Sequence, residues 1–192
     1  MILASKSPRR KEILENFGFN LKIATENVDE VSDKIEITDQ IMDISRKKTI
    51  AVAVKNPDEY VVGADTVVEL DGKILGKPKD SKDAFDMLRA LSGKKNRVIT
   101  AYTIICLNKN IEINNYETTD VYFKELKDEE INWYIGTLEP MDKAGAYGVQ
   151  GKGAVFVDRI DGDFFGVVGF PIGKFIENLK RIGVSLEEMG NI

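Results

Sequence analysis

In residues 61–78, VVGADTVVELDGKILGKP, a carboxylate follows directly on a short run that can bury itself as a strand. Asp65 and Thr66 stand at the end of that run. A carboxylate in such a place is costly to hold unless a metal, a hydrogen-bond donor or a cation lies beside it. The chain then alternates to Leu70, turns at Asp71-Gly72, a dipeptide suited to a two-residue hairpin, and returns through Lys73 to Lys77-Pro78. A hairpin brings its ends together, so Asp65 and Lys77 are expected at one rim, where acid and cation could hold a metal-bound phosphate. A surface hairpin with an ordinary ion pair carries the same pattern.

A second chemical group lies near the start, in SKSPRR at residues 5–10. Residues 1–4 read as a short buried strand and 8–17 as a helix, with Ser7 as its N-cap, Pro8 at the first helical position and Gly18 just past its end. Ser5, Ser7, Arg9 and Arg10 then surround the positive end of a helix. Free N–H groups, hydroxyls and two guanidinium groups there make an anion site, and a capped helix with solvated arginines is the plainer alternative. After a strand at 21–24 comes an acidic loop with Glu26, Asp29, Glu30 and Asp33, mostly solvated charge, of which one could ligate a metal. The run Arg46-Lys47-Lys48 is an exposed helix face unless one lysine turns back toward the pocket. Residues 140–153, PMDKAGAYGVQGKG, combine dense glycine with Lys143, Tyr147 and Gln150. Glycine at this density lets backbone approach a ligand closely or take positive φ. The pattern is not a Walker A loop, and a flexible connector is the alternative.

Composition narrows the chemistry further. The 192 residues contain no histidine. That removes histidine-dependent nucleophile systems, HExxH zinc sites and any imidazole base. Acid–base work falls to carboxylates, lysine, tyrosine or metal-bound water. The single cysteine, Cys106, lies in an apolar run and reads as a buried strand residue. The net charge of −5 speaks against a general nucleic-acid binder, while leaving room for a locally basic pocket. No apolar run approaches a membrane span, and the first residues do not form a signal peptide. A soluble cytoplasmic protein is expected.

The elements that must position these groups mix βα units with antiparallel hairpins. Helices are expected at 38–54, with Ile41, Ile44 and Ala51 inward, at 81–91 behind an Asp80 or Ser81 cap, at 128–138 with Leu138 inward, and at 171–182. Long strands are expected at 97–107 and 111–123. A second hairpin is expected from 154–160 and 164–168 across Asp161-Gly162-Asp163, and the tail to Ile192 reads as peripheral. The fold class is therefore α/β, a mixed and partly antiparallel sheet flanked by helices, in one domain over 1–192.

SKSPRR at 5–10, GADT at 63–66, GKP at 76–78, LSG at 91–93, DKAGAYGVQG at 142–151 and GFP at 169–171 occur together and in order. In this the chain resembles the Maf family of nucleoside triphosphate pyrophosphatases across nearly its whole length. The resemblance implies two lobes around a cleft, as in the inosine triphosphatase type, a common dimeric state, and hydrolysis of a nucleoside triphosphate to monophosphate and pyrophosphate with Mg²⁺ or Mn²⁺. It implies that Asp65 is the catalytic acid, described as the proton acceptor, and that Arg10, Thr66 and Gln150 govern substrate choice. Ser5, Arg9, Lys77, Lys48 and Lys143 would line the phosphate path. Glu30 and Asp65 could be the metal's carboxylates, so Asp65 is left as either base or metal ligand. The motifs SPRR, ADT and AYGVQG resemble the branch acting on dTTP and UTP. Hydrolysis of 7-methyl-GTP or another modified nucleotide, and a non-catalytic regulator of cell division, are the alternatives. One departure stands out: where the family often has a histidine after LSG, this chain has Asn96.

Overall fold

The structure is a computed structural model that describes residues 1–192. The chain runs β1 (Ile2–Leu3), α1 (Pro8–Asn16), β2 (Lys22–Ile23), α2 (Ile37–Ala53), β3 (Val61–Leu70), β4 (Lys73–Leu75), α3 (Ser81–Leu91), β5 (Lys95–Cys106), β6 (Ile111–Phe123), α4 (Asp128–Ile135), β7 (Val157–Asp161), α5 (Phe164–Val168) and α6 (Ile172–Arg181), with short 3-10 turns between and after them. Its seven strands are ordered β2-β1-β3-β5-β6-β7, with β4 also on β3. β1 pairs in parallel with β2 and β3, while β3–β4 and β6–β7 are antiparallel. The expected mixed α/β sheet is what forms. No helix is long and apolar enough to cross a membrane. The chain divides into two compact units, the first comprising residues 1–65, 100–117 and 169–192, the second 66–99 and 118–168.

In the first unit, α1 begins as its sequence dictates: the Ser7 hydroxyl accepts from the Arg10 amide and Pro8 fills the first turn. Gly18 leaves the helix at φ +89°, a conformation open to glycine. Ile13 and Leu14 pack inward, but Phe17 is exposed because it is already the C-cap. The buried stripe of α2 is Ile41, Ser45, Thr49, Val52 and Ala53. The expected Ile44 and Ala51 are only half-buried, and two hydroxyl residues take their place. Phe175 packs edge-to-face on Tyr102, Phe170 and Phe19, and Tyr102 lies tilted against Phe170, in one aromatic cluster. The tail is less peripheral than expected, since Met189 is buried and the Met1 amino group donates to the Ile192 carbonyl. Cys106 is buried as expected, with its thiol near the carbonyls of Pro57 and Asp58.

In the second unit, β3 and β4 form the expected hairpin, with Asp71 at φ +52° and Gly72 at φ +79°, the two positive angles a primed turn demands. Asp80 caps α3. The LSG that ends α3 is a splice: the Ser92 hydroxyl accepts from the Leu126 amide at 2.7 Å and Gly93 donates to the Lys124 carbonyl at 3.0 Å. Two expectations fail here. α4 stops at Ile135, and Leu138 is 72% exposed with φ +61°. Residues 164–168 form α5 instead of a return strand. Asp163 is the cause: its carboxylate accepts from the Phe165 amide at 2.8 Å and its carbonyl from the Val167 amide at 3.2 Å, which starts a helical turn. β7 takes β6 as its partner instead.

Gly145 tests how tightly the second unit is packed. It has φ +67°, and a Cβ there would lie 2.9 Å from Val68 Cγ2. Gly145→Ala is therefore expected to cost about 2 kcal/mol, read as a Tm lower by roughly 4–8 °C in calorimetry. At Gly76 a Cβ meets nothing within 4 Å, and Gly76→Ala should leave stability within about 0.5 kcal/mol of the parent, a Tm shift of no more than roughly 2 °C.

Candidate active site

Asp65 is reached through a strand of buried residues, Val61 to Ala64, and its side chain remains 17% exposed. The cation that meets it is Lys48 of α2, whose Nζ lies 2.7 Å from Asp65 Oδ1. The same Nζ lies 2.7 Å from Glu30 Oε2. Lys48 is itself only 17% exposed, whereas Glu30 is 62% exposed. The Lys47 ammonium instead reaches Asp43 and the Val31 carbonyl, and Arg46 pairs with Glu112. So of the basic run one lysine does turn inward. The partner expected for Asp65 from the hairpin, Lys77, belongs to the second unit; the first unit supplies Lys48.

The position of Lys48 follows from the close packing of α2 on β3. Ser45, four residues before Thr49, donates to the Gly63 carbonyl at 3.3 Å and lies 2.9 Å from the Thr103 hydroxyl. Thr103 donates to Asn114, which returns a bond to the Met42 carbonyl of α2. Thr49 sits against Gly63 so closely that a Cβ on Gly63 would be 2.3 Å from its Oγ1. The glycine of GADT is thus required by the helix lying over it, and the helix in turn delivers Lys48 to Asp65.

The N-terminal turn builds the second cationic group. The Arg10 guanidinium donates through Nη1 to the Ser5 hydroxyl at 3.1 Å and through Nε to the Gly169 carbonyl at 2.9 Å. Ser5 also accepts from the Ser7 amide. This explains GFP at 169–171: Gly169, at φ +129°, presents a carbonyl to Arg10, Phe170 is buried, and Pro171 precedes α6. Burial pulls the Arg10 pKa down from its ordinary value; Asp65 and Glu30 oppose the shift, and Arg9 adds to it. An arginine remains charged regardless. In the first unit Lys48, Asp65 and Glu30 thus form one bonded cluster and Ser5 and Arg10 a second, with the charges of Asp65, Glu30 and Arg9 acting on Arg10. Glu30 and Asp65 are the carboxylates available to a metal, and no cluster of three or more metal-ligating side chains exists.

In the second unit Thr66 is half-buried in β3, and Lys77 is exposed between β4 and α3. The Gly145 amide donates to the Gly76 carbonyl at 2.9 Å, which joins GKP to the glycine-rich segment. That segment is no flexible connector. It is a chain of 3-10 turns folded round Glu139, and Gln150 projects exposed between Gly148 and Gly151. Lys143 donates to the Glu139 carbonyl and to Asp142, both at 2.7 Å, so two of its three donors are taken within the loop. Tyr147 is buried, and its hydroxyl donates to Asn96 Oδ1 at 2.8 Å. Asn96 Nδ2 in turn donates to the Val121 carbonyl at 3.1 Å. Sequence reasoning places Tyr134 inward, as found, but missed Glu139, its bond from the Tyr134 hydroxyl, and the packing role of Ser45 and Thr49; the EP pair before the glycines was the one available signal for the first.

Burial alone would raise the Glu139 pKa. The Lys152 and Gly153 amides, the Tyr134 hydroxyl and Lys143 more than offset this, so it lies below the ordinary glutamate value. A lowered folded-state pKa gives stability that is complete above the unfolded value, about 4.3, and lost as pH falls through the folded one. Denaturant titrations of the parent and Glu139→Gln are expected to differ by a constant amount from pH 8 to 5, with the gap narrowing below about pH 4.3. Gly63→Ala should push α2 off β3, lowering stability by roughly 1–3 kcal/mol and cutting turnover by about tenfold or more as Lys48 leaves Asp65.

The family described as Maf-like protein matches residues 1–182. A protein of Fusobacterium nucleatum named dTTP/UTP pyrophosphatase is 53% identical over 192 residues, covering all of both chains. Proteins of the same name from Thermoanaerobacter sp. and Bacillus pumilus are 46% and 45% identical; the alignments cover 94% and 96% of this chain and 95% and 97% of theirs. A solved structure titled "The structure of the Staphylococcus aureus Ham1 protein" aligns with a TM-score of 0.49 at 13% identity, covering 66% of this chain and 72% of that one. With a family match across nearly its whole length and relatives this similar end to end, the chain belongs to the Maf family.

Proposed function

We propose that this protein hydrolyses dTTP and UTP to the monophosphate and pyrophosphate, with residues 1–192 acting as one catalytic domain in the cytoplasm. The observation that carries the reading is the Lys48–Asp65–Glu30 cluster, whose carboxylates act electrostatically on the buried Arg10 that is bonded to Ser5. It joins a fixed carboxylate to cations suited to phosphate oxygens. Relatives of up to 53% identity bear the name dTTP/UTP pyrophosphatase.

In the proposed reaction a water oxygen bonds to the α-phosphorus, and the bond from that phosphorus to the bridging oxygen of the β-phosphate breaks. The water's proton passes to Asp65, and pyrophosphate leaves. Lys48 holds Asp65 through Oδ1, so the carboxylate is oriented before substrate arrives. Arg9, Arg10 and Ser5 bind phosphate oxygens. Thr66, Lys77 and Lys143 are further substrate contacts, and Gln150 offers an amide donor and acceptor to a pyrimidine edge. Glu30 and Asp65, whose carboxylates lie near each other on Lys48, are the hard oxygen donors that would hold a Mg²⁺ or Mn²⁺ ion. Such an ion supplies charge neutralisation and lowers the pKa of water.

A pyrophosphate-release assay with dTTP, UTP, 7-methyl-GTP and ITP, with Mg²⁺ or Mn²⁺, tests the proposal. Turnover of dTTP and UTP is expected to dominate, and Asp65→Asn is expected to reduce kcat by roughly 10²–10⁴. Release from 7-methyl-GTP alone would overturn the substrate assignment, and tight triphosphate binding without release would overturn the enzyme.

A further inference from the structure

Glu139 is a half-buried acidic side chain at the start of the glycine-rich segment. Its bonds show where its charge goes. Oε1 accepts from the Tyr134 hydroxyl at 3.0 Å and from the Gly153 amide at 3.3 Å, and Oε2 accepts from the Lys152 amide at 2.9 Å. The Tyr134 oxygen in turn accepts from the Gly148 amide at 3.2 Å. Both ends of the stretch 148–153 are therefore tied to one pair, the buried Tyr134 and the half-buried Glu139, and Gln150 lies between the ties.

Three glycines are shaped to this arrangement. A Cβ on Gly151 would lie 2.5 Å from Glu139 Oε1, one on Gly153 would lie 2.6 Å from the Tyr134 hydroxyl, and one on Gly148 would lie 2.6 Å from Lys143 Cε. The backbone wraps the carboxylate, the phenol and the lysine stem at contact distance. The hydroxyl of Thr137 donates to the Tyr134 carbonyl and accepts from the Glu139 amide, which locks the two anchoring residues to each other. Leu138, exposed and at positive φ between them, has the strained backbone that turns Glu139 inward.

We propose that Glu139 is a positioning residue for nucleobase choice: its carboxylate fixes the curvature of residues 148–153 and so fixes where the Gln150 amide meets the base. This rests on the proposed contact of Gln150 with the pyrimidine. Glu139 touches no reacting atom. It acts through the two amides and through Tyr134.

The test compares Glu139→Gln, Tyr134→Phe, Gln150→Ala and the double variant Glu139→Gln/Gln150→Ala with UTP and CTP. Glutamine at 139 keeps the shape but turns an N–H toward one of the backbone donors. Glu139→Gln is expected to raise KM for UTP by about tenfold with kcat within about twofold, and to narrow the preference for UTP over CTP. Tyr134→Phe keeps the ring in the core and should act in the same direction. In the Gln150→Ala background the Glu139→Gln effect should vanish, because nothing remains to be positioned. Hydrogen exchange should quicken in residues 144–156 and stay unchanged in α2. If Gln150→Ala leaves KM and base preference unchanged, the base-contact reading falls. If Gln150→Ala raises KM while Glu139→Gln and Tyr134→Phe do not, the positioning role falls. An undiminished Glu139→Gln effect in the double variant overturns it as well.

Discussion

A carboxylate at the end of a buried strand has to be given a cation, and in this protein the cation is Lys48. Asp65 follows four buried residues of β3, where its charge has lost much of its hydration. A charge-assisted bond at 2.7 Å from an ammonium that is itself only 17% exposed restores what solvent no longer supplies. Removing either partner would leave the other charged and partly desolvated, which is the costly case. The pair also shares its ammonium with Glu30, so an exposed acidic loop residue is drawn to the same spot.

The architecture around the pair serves it at several removes. An α-helix cannot lie this close to a strand unless the strand offers a glycine, and Gly63 is that glycine. The helix face that meets it must be small and must satisfy backbone oxygens. Ser45 and Thr49 do both, and Thr103 and Asn114 complete a buried hydroxyl–amide chain with no polar side-chain atom left unpaired. Arg10 depends on backbone in the same way: its Nε is held by the carbonyl of Gly169, so GFP contributes to the site without projecting a polar side chain.

Turn chemistry was the most legible part of the sequence. Ser7-Pro8, Asp71-Gly72, Asp80 and Gly18 each predicted the local conformation found, because capping and positive φ depend on one or two residues. The sheet class followed from alternation and spacing. What failed depended on tertiary partners. The apolar pattern of α2 pointed to Ile44 and Ala51, since nothing in a single helix says that Ser and Thr will pack on a glycine elsewhere. Residues 164–168, FFGVV, are as apolar as a strand; Asp163, read as a turn residue, is in fact a helix cap. Asp65, Arg10 and Glu30 were named from the sequence, yet the lysine that meets Asp65 was first sought in the hairpin. Register suggested Lys77, whereas a cation seventeen residues upstream is the one bonded. Glu139 was overlooked because a lone acid before a glycine-rich run reads as solvated charge until its amide partners are seen.

The absence of histidine becomes intelligible at Asn96. The side chain is 2% exposed, donates from Nδ2 to the Val121 carbonyl and accepts at Oδ1 from Tyr147. One donor and one acceptor about a planar group is also what a neutral imidazole offers. The position therefore calls for a bridge between β6 and the tyrosine of AYG, and an amide meets that need without a titrating group. Tyr147 is packed edge-to-face on Phe123, with ring centroids 4.7 Å apart, and burial raises its hydroxyl pKa against the pull of Asn96. A phenol so placed is a neutral donor with a fixed acceptor. The tyrosine–asparagine bridge therefore contributes order to the glycine-rich loop and no titrating group.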